Sequence, residues 1–524
     1  MSLASSGTRV AALPTRANDE HASGWAAFSR HLPMLAAGAF ALIWVTFRAD
    51  LQSVTLDEAD SYLGYVAPSW PSHWYPSSGN HVLNSILIRL LTWLFGLSHL
   101  TLRAPALLGG AIYVTAAYRL CRLISDKRVL AFPLFVCFVY NPFVMDYMVA
   151  ARGYGLALGL LMTVVFLAVR QILRYTPGDD AALRRDCVAA SVCAALSFCA
   201  NFSFAYADCA CILLFWLWAR REALPTAKER WRLAAVLSLP GLLAAFAIAG
   251  SVVWDWPKGQ LYYGARSLSQ GWHSIINATF YQLNPTLVNP LLAVALMQTK
   301  LCLPLLAVGL CISQFVLLSR ESRRGNARLL TVAEFAGAAA MLTLALHWLQ
   351  FKFFRIPLPM ERTGLFFVPL SLLMWGSVTA IERRGRAGRI LQRLSVLVLF
   401  LGATYFVGCL RLMYFHEWAF GADVRAAFPV LQDVARRYGV SQIPTTWEYS
   451  ASLNFYRAYF HDNNLESFGF TDPPLGGKAV YVLPYANEEP FIRQQKLRVV
   501  YRGERSDLTI LMRDDAADPK PAAP

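Results

Sequence analysis

The chain has 524 residues, of which 56% are hydrophobic and 15% charged, and its formal net charge is +15. Soluble globular chains carry about a quarter charged residues, so the composition excludes an ordinary soluble domain and points to lipid as the solvent. The basic excess lies in short loops between apolar runs rather than in one patch, which argues against nucleic acid as a partner.

Residues 1–30 are polar and precede the first apolar run. That run lacks a small-residue cleavage site and reads as a retained anchor. Eleven runs have the length and apolarity of transmembrane spans, at 31–48, 104–121, 129–146, 153–169, 187–202, 204–219, 232–253, 301–319, 329–350, 364–381 and 394–412. Between them lie five basic clusters. These are Arg119, Arg122, Lys127 and Arg128, then Arg170, Arg174, Arg184 and Arg185, then Arg220, Arg221, Lys228, Arg230 and Arg232. Two more follow, with Arg320, Arg323, Arg324 and Arg328, and with Arg383, Arg384, Arg386, Arg389 and Arg393. All fall on one side of the membrane if the N-terminus is there too, which places that side in the cytoplasm. With this count the C-terminal tail, 413–524, lies outside. It holds 12 basic and 14 acidic residues, so the basic excess belongs to the membrane part.

The first external loop, 49–103, carries two amphipathic patterns. From Asp57 to Val66, Ala59, Tyr62, Leu63 and Val66 share one helical face, and Asp57, Glu58, Asp60 and Ser61 share the other. From 81 to 96 a polar stripe of His81, Ser85, Arg89 and Thr92 runs along an otherwise apolar helix, which reads as interfacial rather than spanning. Taking it as a span would invert every later basic loop. In the tail, helices are expected at 422–438 and 450–460, with strands at 479–483, 498–501 and 508–512, forming a small α/β domain with its own core. The expected fold is thus a polytopic α-helical membrane protein of about 11 transmembrane helices, with two interfacial helices in the first loop and an external α/β domain. The parts are a cytoplasmic segment 1–30, a transmembrane domain 31–412 and the tail. All ten cysteines lie in or beside predicted spans, so no disulfide framework is expected, and no paired C-x-x-C metal motif occurs.

Chemistry-bearing residues cluster on the external side. Asp57 and Glu58 either complement a helix dipole or supply a base or a metal ligand at the water–lipid boundary. Asp146, Arg152 and Tyr154 share the next external turn, where Arg152 defies the charge bias. It either binds an anion or snorkels to headgroups. Lys352, Arg355, Glu361 and Arg362 form a third cluster, in which Glu361 could neutralise Arg362 locally. Asp208 and Glu334 are acids within or near the ends of spans, where solvated positions compete with functional ones.

The segments LDEADSY, NHVLNSILIRLLTWLFGLSHLTLRAP, ARGYG and PLPMERTGLFFVPL together resemble glycosyltransferase family 39, within the glycosyltransferase C (GT-C) superfamily of protein O-mannosyltransferases and lipid A aminoarabinose transferases. The resemblance covers 31–170 and, more weakly, 350–381. It implies a multi-pass enzyme of the bacterial plasma membrane that moves a sugar from a polyprenyl-phosphate donor to a lipid, glycan or protein acceptor on the external, periplasmic face. By the same resemblance Asp57 is the essential acid, Glu58 its motif partner and Asp146 a candidate second acid, with Asp57 and Asp146 available to a divalent metal ion. His81, Arg89, Arg152, Tyr154, Arg355 and Arg362 are the candidates for binding substrate. Many relatives have Lys-Pro-Pro or His-Pro-Pro where this chain has His81-Val82-Leu83, which weakens the transfer of a phosphate-binding role to His81. The rival reading is a lipid or sugar transporter or flippase without transferase activity, for which repeats and helices broken at the midplane are expected. No repeat is visible.

Overall fold

The computed structural model describes residues 16–514 apart from 70, 223–225, 258, 299–301, 321–326, 384, 472–473 and 475. The first half of the expected cytoplasmic segment, residues 1–15, and the basic residues Arg323, Arg324 and Arg384 therefore lie outside the described residues. Helix α1 (Arg16–Leu51) leads into the large loop that holds α2 (Leu56–Ser61), a π turn at Tyr62–Val66 and α3 (Val82–Phe95). The bundle continues through α4 (His99–Ile124), α5 (Arg128–Val139), α6 (Pro142–Tyr147), α7 (Tyr154–Arg174), α8 (Asp180–Ala200), α9 (Ala205–Glu222) and α10 (Ala227–Trp254). After α11 (Leu268–Thr279) and α12 (Pro290–Gln298) come α13 (Cys302–Arg320), α14 (Ala327–Phe354), α15 (Phe367–Ala380) and α16 (Arg386–Gly408).

Among the described residues, eight helical stretches are long and apolar enough to cross a membrane, at His31–Leu51, His99–Ile124, Tyr154–Arg174, Phe202–Glu222, Ala227–Trp254, Ala327–Phe354, Glu361–Ala380 and Arg386–Gly408. The chain is a multi-pass membrane protein. The expected span at 129–146 is not one helix. Helix α5 has 12 residues, about 18 Å at 1.5 Å per residue against about 30 Å of hydrocarbon. The chain turns at Tyr140, and the Asn141 side chain restarts it by accepting the Phe143 and Val144 N–H groups.

Helix α7 is buried along nearly its whole length between α4 and α8. Small residues let α4 approach it. A Cβ on Gly109 would lie 2.4 Å from the Gly155 backbone, and one on Gly159 would lie 2.3 Å from the Gly109 carbonyl oxygen. Polar contacts gather the short basic loops at one end of the bundle. Lys127 reaches Glu382 at 3.0 Å, and Arg328 donates to the Leu173 carbonyl at 2.7 Å. The large loop and the tail sit at the other end.

The tail comprises α17 (Val424–Tyr438), α18 (Trp447–Tyr459), β1 (Val480–Pro484), α19 (Tyr485–Gln494), β2 (Leu497–Arg502) and β3 (Leu508–Arg513). Its sheet is antiparallel in the order β1-β3-β2. The period-2 alternation of β1 divides its partners. Tyr481 and Leu483 join Ile492 of α19 in a small cluster, whereas Val480 and Val482 face α17 and α18. That second core does not close within the tail. Phe428, Leu431 and Tyr456 pack in one cluster with Val54, Ala59, Val66 and Ile88 of the large loop. The apolar face of the Asp57–Val66 segment, expected to lie on lipid, therefore meets protein, with Tyr62 edge-on to Phe455 at 5.5 Å. In α3 the polar stripe also turns inward. Ser85 donates to Asn80 and Arg89 to the Val66 carbonyl, leaving Trp93, Leu94 and Phe95 exposed.

Candidate active site

The Thr55–Glu58 segment forms a capping box, in which Thr55 Oγ1 accepts the Glu58 N–H and Glu58 Oε2 accepts the Thr55 N–H at 2.9 Å. Glu58 then has no exposure left. Arg103 Nε donates to Oε1 at 2.9 Å, Arg103 Nη2 donates to Oε2 at 2.7 Å, and the Ala151 N–H reaches Oε1 at 2.8 Å. Both side chains of the pair are 0% exposed. Burial raises the affinity of Glu58 for a proton, but the Arg103 charge and these hydrogen bonds outweigh it and hold the carboxyl below its usual range. Glu58 was expected to be the motif partner of Asp57 in catalysis, and here its carboxylate is fully engaged by protein donors. All its lone pairs serve to staple the large loop to α4 and to the turn before α7.

The capping box aims the neighbouring Asp57 the other way. Its side chain keeps 21% exposure, and Oδ2 lies 3.3 Å from Arg362 Nη2 and 4.0 Å from Arg152 Nε. Arg152 is fixed by donating to the Asp57 carbonyl at 3.0 Å and to Ser61 Oγ. Gly153 makes that placement feasible. Its φ is +72°, and a Cβ there would lie 2.0 Å from the Ala200 carbonyl oxygen. Arg362 stacks over Tyr263 at 4.3 Å and pairs with Glu417, which also accepts from Tyr147 Oη–H. Glu361 does not neutralise Arg362, as its carboxylate accepts from Tyr263 instead. Burial pushes the Glu417 carboxyl above its usual range despite Arg362 beside it.

Arg152 and Arg362 line a cavity of about 380 Å³, walled by aromatic side chains that include Tyr154, Tyr206, Trp256 and Tyr263. His81 and Tyr154 also line it, their rings 5.7 Å apart. Neither ring nitrogen of His81 has a hydrogen-bond partner among the described residues. Its burial, with Arg152 and Arg362 nearby, lowers its pKa well below the ordinary value, so the ring is neutral.

Three expected residues stand elsewhere. Asp146 is 7% exposed and fully engaged, with Oδ1 on Arg48 and Oδ2 accepting from Tyr281 Oη–H at 2.6 Å and from the His416 N–H at 3.2 Å. The residue expected as a candidate second acid is thus held in an ion pair with Arg48, away from the lining of the Arg152–Arg362 cavity. Arg89 donates to the loop carbonyls of Val66 and Pro68. Arg355 ends α14 in a left-handed conformation, exposed and outside the cavity lining. Asp208 is buried at 3% exposure rather than solvated, while Glu334 is exposed at the opposite end. Glu417, Tyr263 and Tyr147 were missed. Glu417 stands five residues beyond the last predicted span with no pattern around it, and Tyr263 lies in a loop without periodicity.

The donor set at Asp57 does not fit a divalent cation. Its carboxylate faces two guanidinium groups, Asp146 is engaged by a third, and no group of three metal-ligating side chains occurs among the described residues. The arrangement instead suits an anion that competes with Asp57 for the two arginines.

No protein-family model matches the chain, and no curated protein matches it. Among solved structures it is similar to ArnT from Cupriavidus metallidurans bound to undecaprenyl phosphate, with 12% identity and a TM-score of 0.49 over 95% of this chain and 100% of that one. The apo state of the same protein gives 12% identity and a TM-score of 0.43 over the same 95% and 100%. The Archaeoglobus fulgidus oligosaccharyltransferase complex with Zn and sulfate gives 11% identity and a TM-score of 0.40 over 79% of this chain and 61% of that one.

Proposed function

We propose that the chain is a membrane glycosyltransferase that takes a sugar from a polyprenyl-phosphate carrier and passes it to a hydroxyl acceptor. The observation that carries this reading is Asp57, partly exposed and held between Arg152 and Arg362, which both line an aromatic cavity at the end of the bundle opposite the basic loops. A phosphate entering that cavity offers more negative charge and more acceptor oxygens than one carboxylate, so it draws the guanidinium groups to itself. Asp57 then loses its ion pairs, and its carboxylate oxygens are free to accept a proton from the acceptor hydroxyl. Donor binding thereby arms the base. The aromatic walls supply stacking faces for a sugar ring and an apolar path for the carrier's first isoprene units. With the basic loops in the cytoplasm, the site lies on the external face. In this reading residues 31–412 bind the donor and the 413–524 tail roofs the site, contributing Glu417.

The test uses the full chain in lipid nanodiscs with a polyprenyl-phosphate sugar, following release of polyprenyl phosphate. Asp57→Asn should slow release by about 10²–10⁴-fold, while Asp60→Asn, on the exposed side of the same helix, should not. Parental rates in the Asp57→Asn protein, or no release from the parent with any such donor, would refute the proposal.

A further inference from the structure

At the basic end of the bundle, far from Asp57, helices α9 and α14 part. Near the site end they touch through Tyr206 and His347, whose ring centroids are 4.7 Å apart. Toward the other end the gap between them opens into a groove of about 890 Å³. Its depth is apolar, with Leu214 and Leu217 from α9 facing Phe335 and Ala338 from α14. Its mouth is charged, with Arg220 and Arg221 at the end of α9 and Arg230 at the start of α10. Two of these have fixed settings. Arg220 lies over the Trp216 ring at 5.6 Å, and Trp216 Nε1–H donates to the Arg230 carbonyl at 3.3 Å. Arg221 and Glu222 form an open pair at 3.7 Å. One carboxylate, Glu334, stands exposed on α14 between mouth and depth. Arg328 bonds to the Leu173 and Tyr175 carbonyls and fixes the start of α14 against the end of α7, so the groove has a rigid wall.

We infer that this groove is a binding site for an anionic phospholipid whose headgroup carries free hydroxyls. Charge complementarity selects the occupant. The three guanidinium groups of the mouth exceed the groove's two carboxylates, Glu222 and Glu334, and basic pockets between membrane helices at a cytoplasmic face hold anionic headgroups. The phosphodiester would sit on Arg220 and Arg221. The apolar depth, level with the hydrocarbon, would take one acyl chain. Glu334 needs donors once the groove is occupied, and headgroup hydroxyls provide them without adding a cation. A lipid wedged there would hold α9 and α14 at a fixed spread. The same two helices carry Tyr206 and His347 into the cavity wall at the other end, so occupancy of the groove is mechanically linked to that wall.

The experiment is native mass spectrometry of the detergent-purified full chain, titrated separately with phosphatidylglycerol, phosphatidylethanolamine, phosphatidylcholine and inorganic phosphate. The expected result is one retained phosphatidylglycerol at a lipid concentration several-fold below that needed for the other two lipids, and no retention of inorganic phosphate. Arg220→Gln with Arg221→Gln should reduce phosphatidylglycerol retention several-fold without changing that of phosphatidylcholine. Ala338→Trp, which fills the groove from an exposed helical position and leaves every charge in place, should do the same, and decides the matter if the double variant does not fold. Equal retention of the three lipids, stronger retention of phosphatidylethanolamine, or parental phosphatidylglycerol binding in Ala338→Trp would overturn the inference. None of these readouts depends on transferase activity.

Discussion

Glu58 and Asp57 are adjacent carboxylates with opposite surroundings, one buried on Arg103 and one partly exposed, so replacing Glu58 by Gln separates a structural role from the base proposed for Asp57. The substitution keeps shape and volume but removes the charge facing Arg103, and it puts an NH₂ group where an oxygen accepted hydrogen bonds. Four donors converge on the two oxygens, from Arg103 Nε and Nη2 and from the Thr55 and Ala151 N–H groups. Arg103 also donates to the carbonyls of Ala49, Gln52 and Ser53 at 2.8–2.9 Å, so it cannot swing away to water. Breaking a fully buried pair by removing one partner costs about 3–5 kcal/mol, since the remaining charge stays buried. The measurement is the thermal unfolding midpoint of the chain in nanodiscs, together with transfer per folded molecule. Glu58→Gln should lower the midpoint sharply while the folded fraction retains transfer. Asp57→Asn should do the reverse. The pH dependence has a definite sign. The folded carboxyl lies below its unfolded value, so its contribution is complete above the ordinary carboxylate range of about 4–4.5 and is lost as the pH falls through the folded pKa. The reasoning fails if Glu58→Gln is as stable as the parent, or if its folded fraction is as inactive as Asp57→Asn.

Arg362→Ala should weaken donor binding by about ten- to a hundred-fold, the equivalent of roughly 1.5–3 kcal/mol for a charge-assisted contact, and Arg362→Lys should recover only part of it because the fork is lost. Isothermal titration with the donor lipid reads this, and parental affinity in both variants would remove Arg362 from the phosphate site. Asp146→Asn should destabilise the bundle by about 3–5 kcal/mol through the stranded Arg48, with transfer retained per folded molecule. Full stability with lost transfer would return Asp146 to the catalytic machinery. Gly153→Ala should cost at least about 1–3 kcal/mol from its left-handed backbone alone and, through the clash with Ala200, weaken donor binding by displacing Arg152. An unchanged unfolding midpoint would contradict it. Tyr456→Phe should leave the Val54 N–H without its 2.9 Å acceptor, cost about 1–3 kcal/mol, and speed proteolytic release of the tail. No change in the cleavage rate would show that the tail is held by apolar packing alone.

Apolar runs of about twenty residues, separated by basic loops, are a one-dimensional signal, because a helix in lipid satisfies its own backbone and needs no partner. For that reason the multi-pass architecture, the short helix at 82–95, two of the tail's three helices and its three strands were legible in the sequence, whereas α19 was not. The charge bias likewise singled out Arg152 and Arg362, since an arginine on the wrong side needs a reason local to itself. What the sequence left open was which carboxylate faces which cation. Asp57 and Glu58 differ by one residue and about 100° around a helix, and only the capping box at Thr55 decides that Glu58 turns into the protein while Asp57 faces Arg152 and Arg362, which line the cavity. Asp146 looked equally available, and Arg48 from α1, 98 positions earlier, pairs with it in the fold. Glu417 carried no pattern at all, and it reaches Arg362 only because the tail folds back over the large loop and shares its core. Hydrophobic burial along a helix is set by near neighbours in sequence, whereas ion pairs in a low-dielectric interior are set by contacts between distant segments, so the first was written in the chain and the second was decided by the fold.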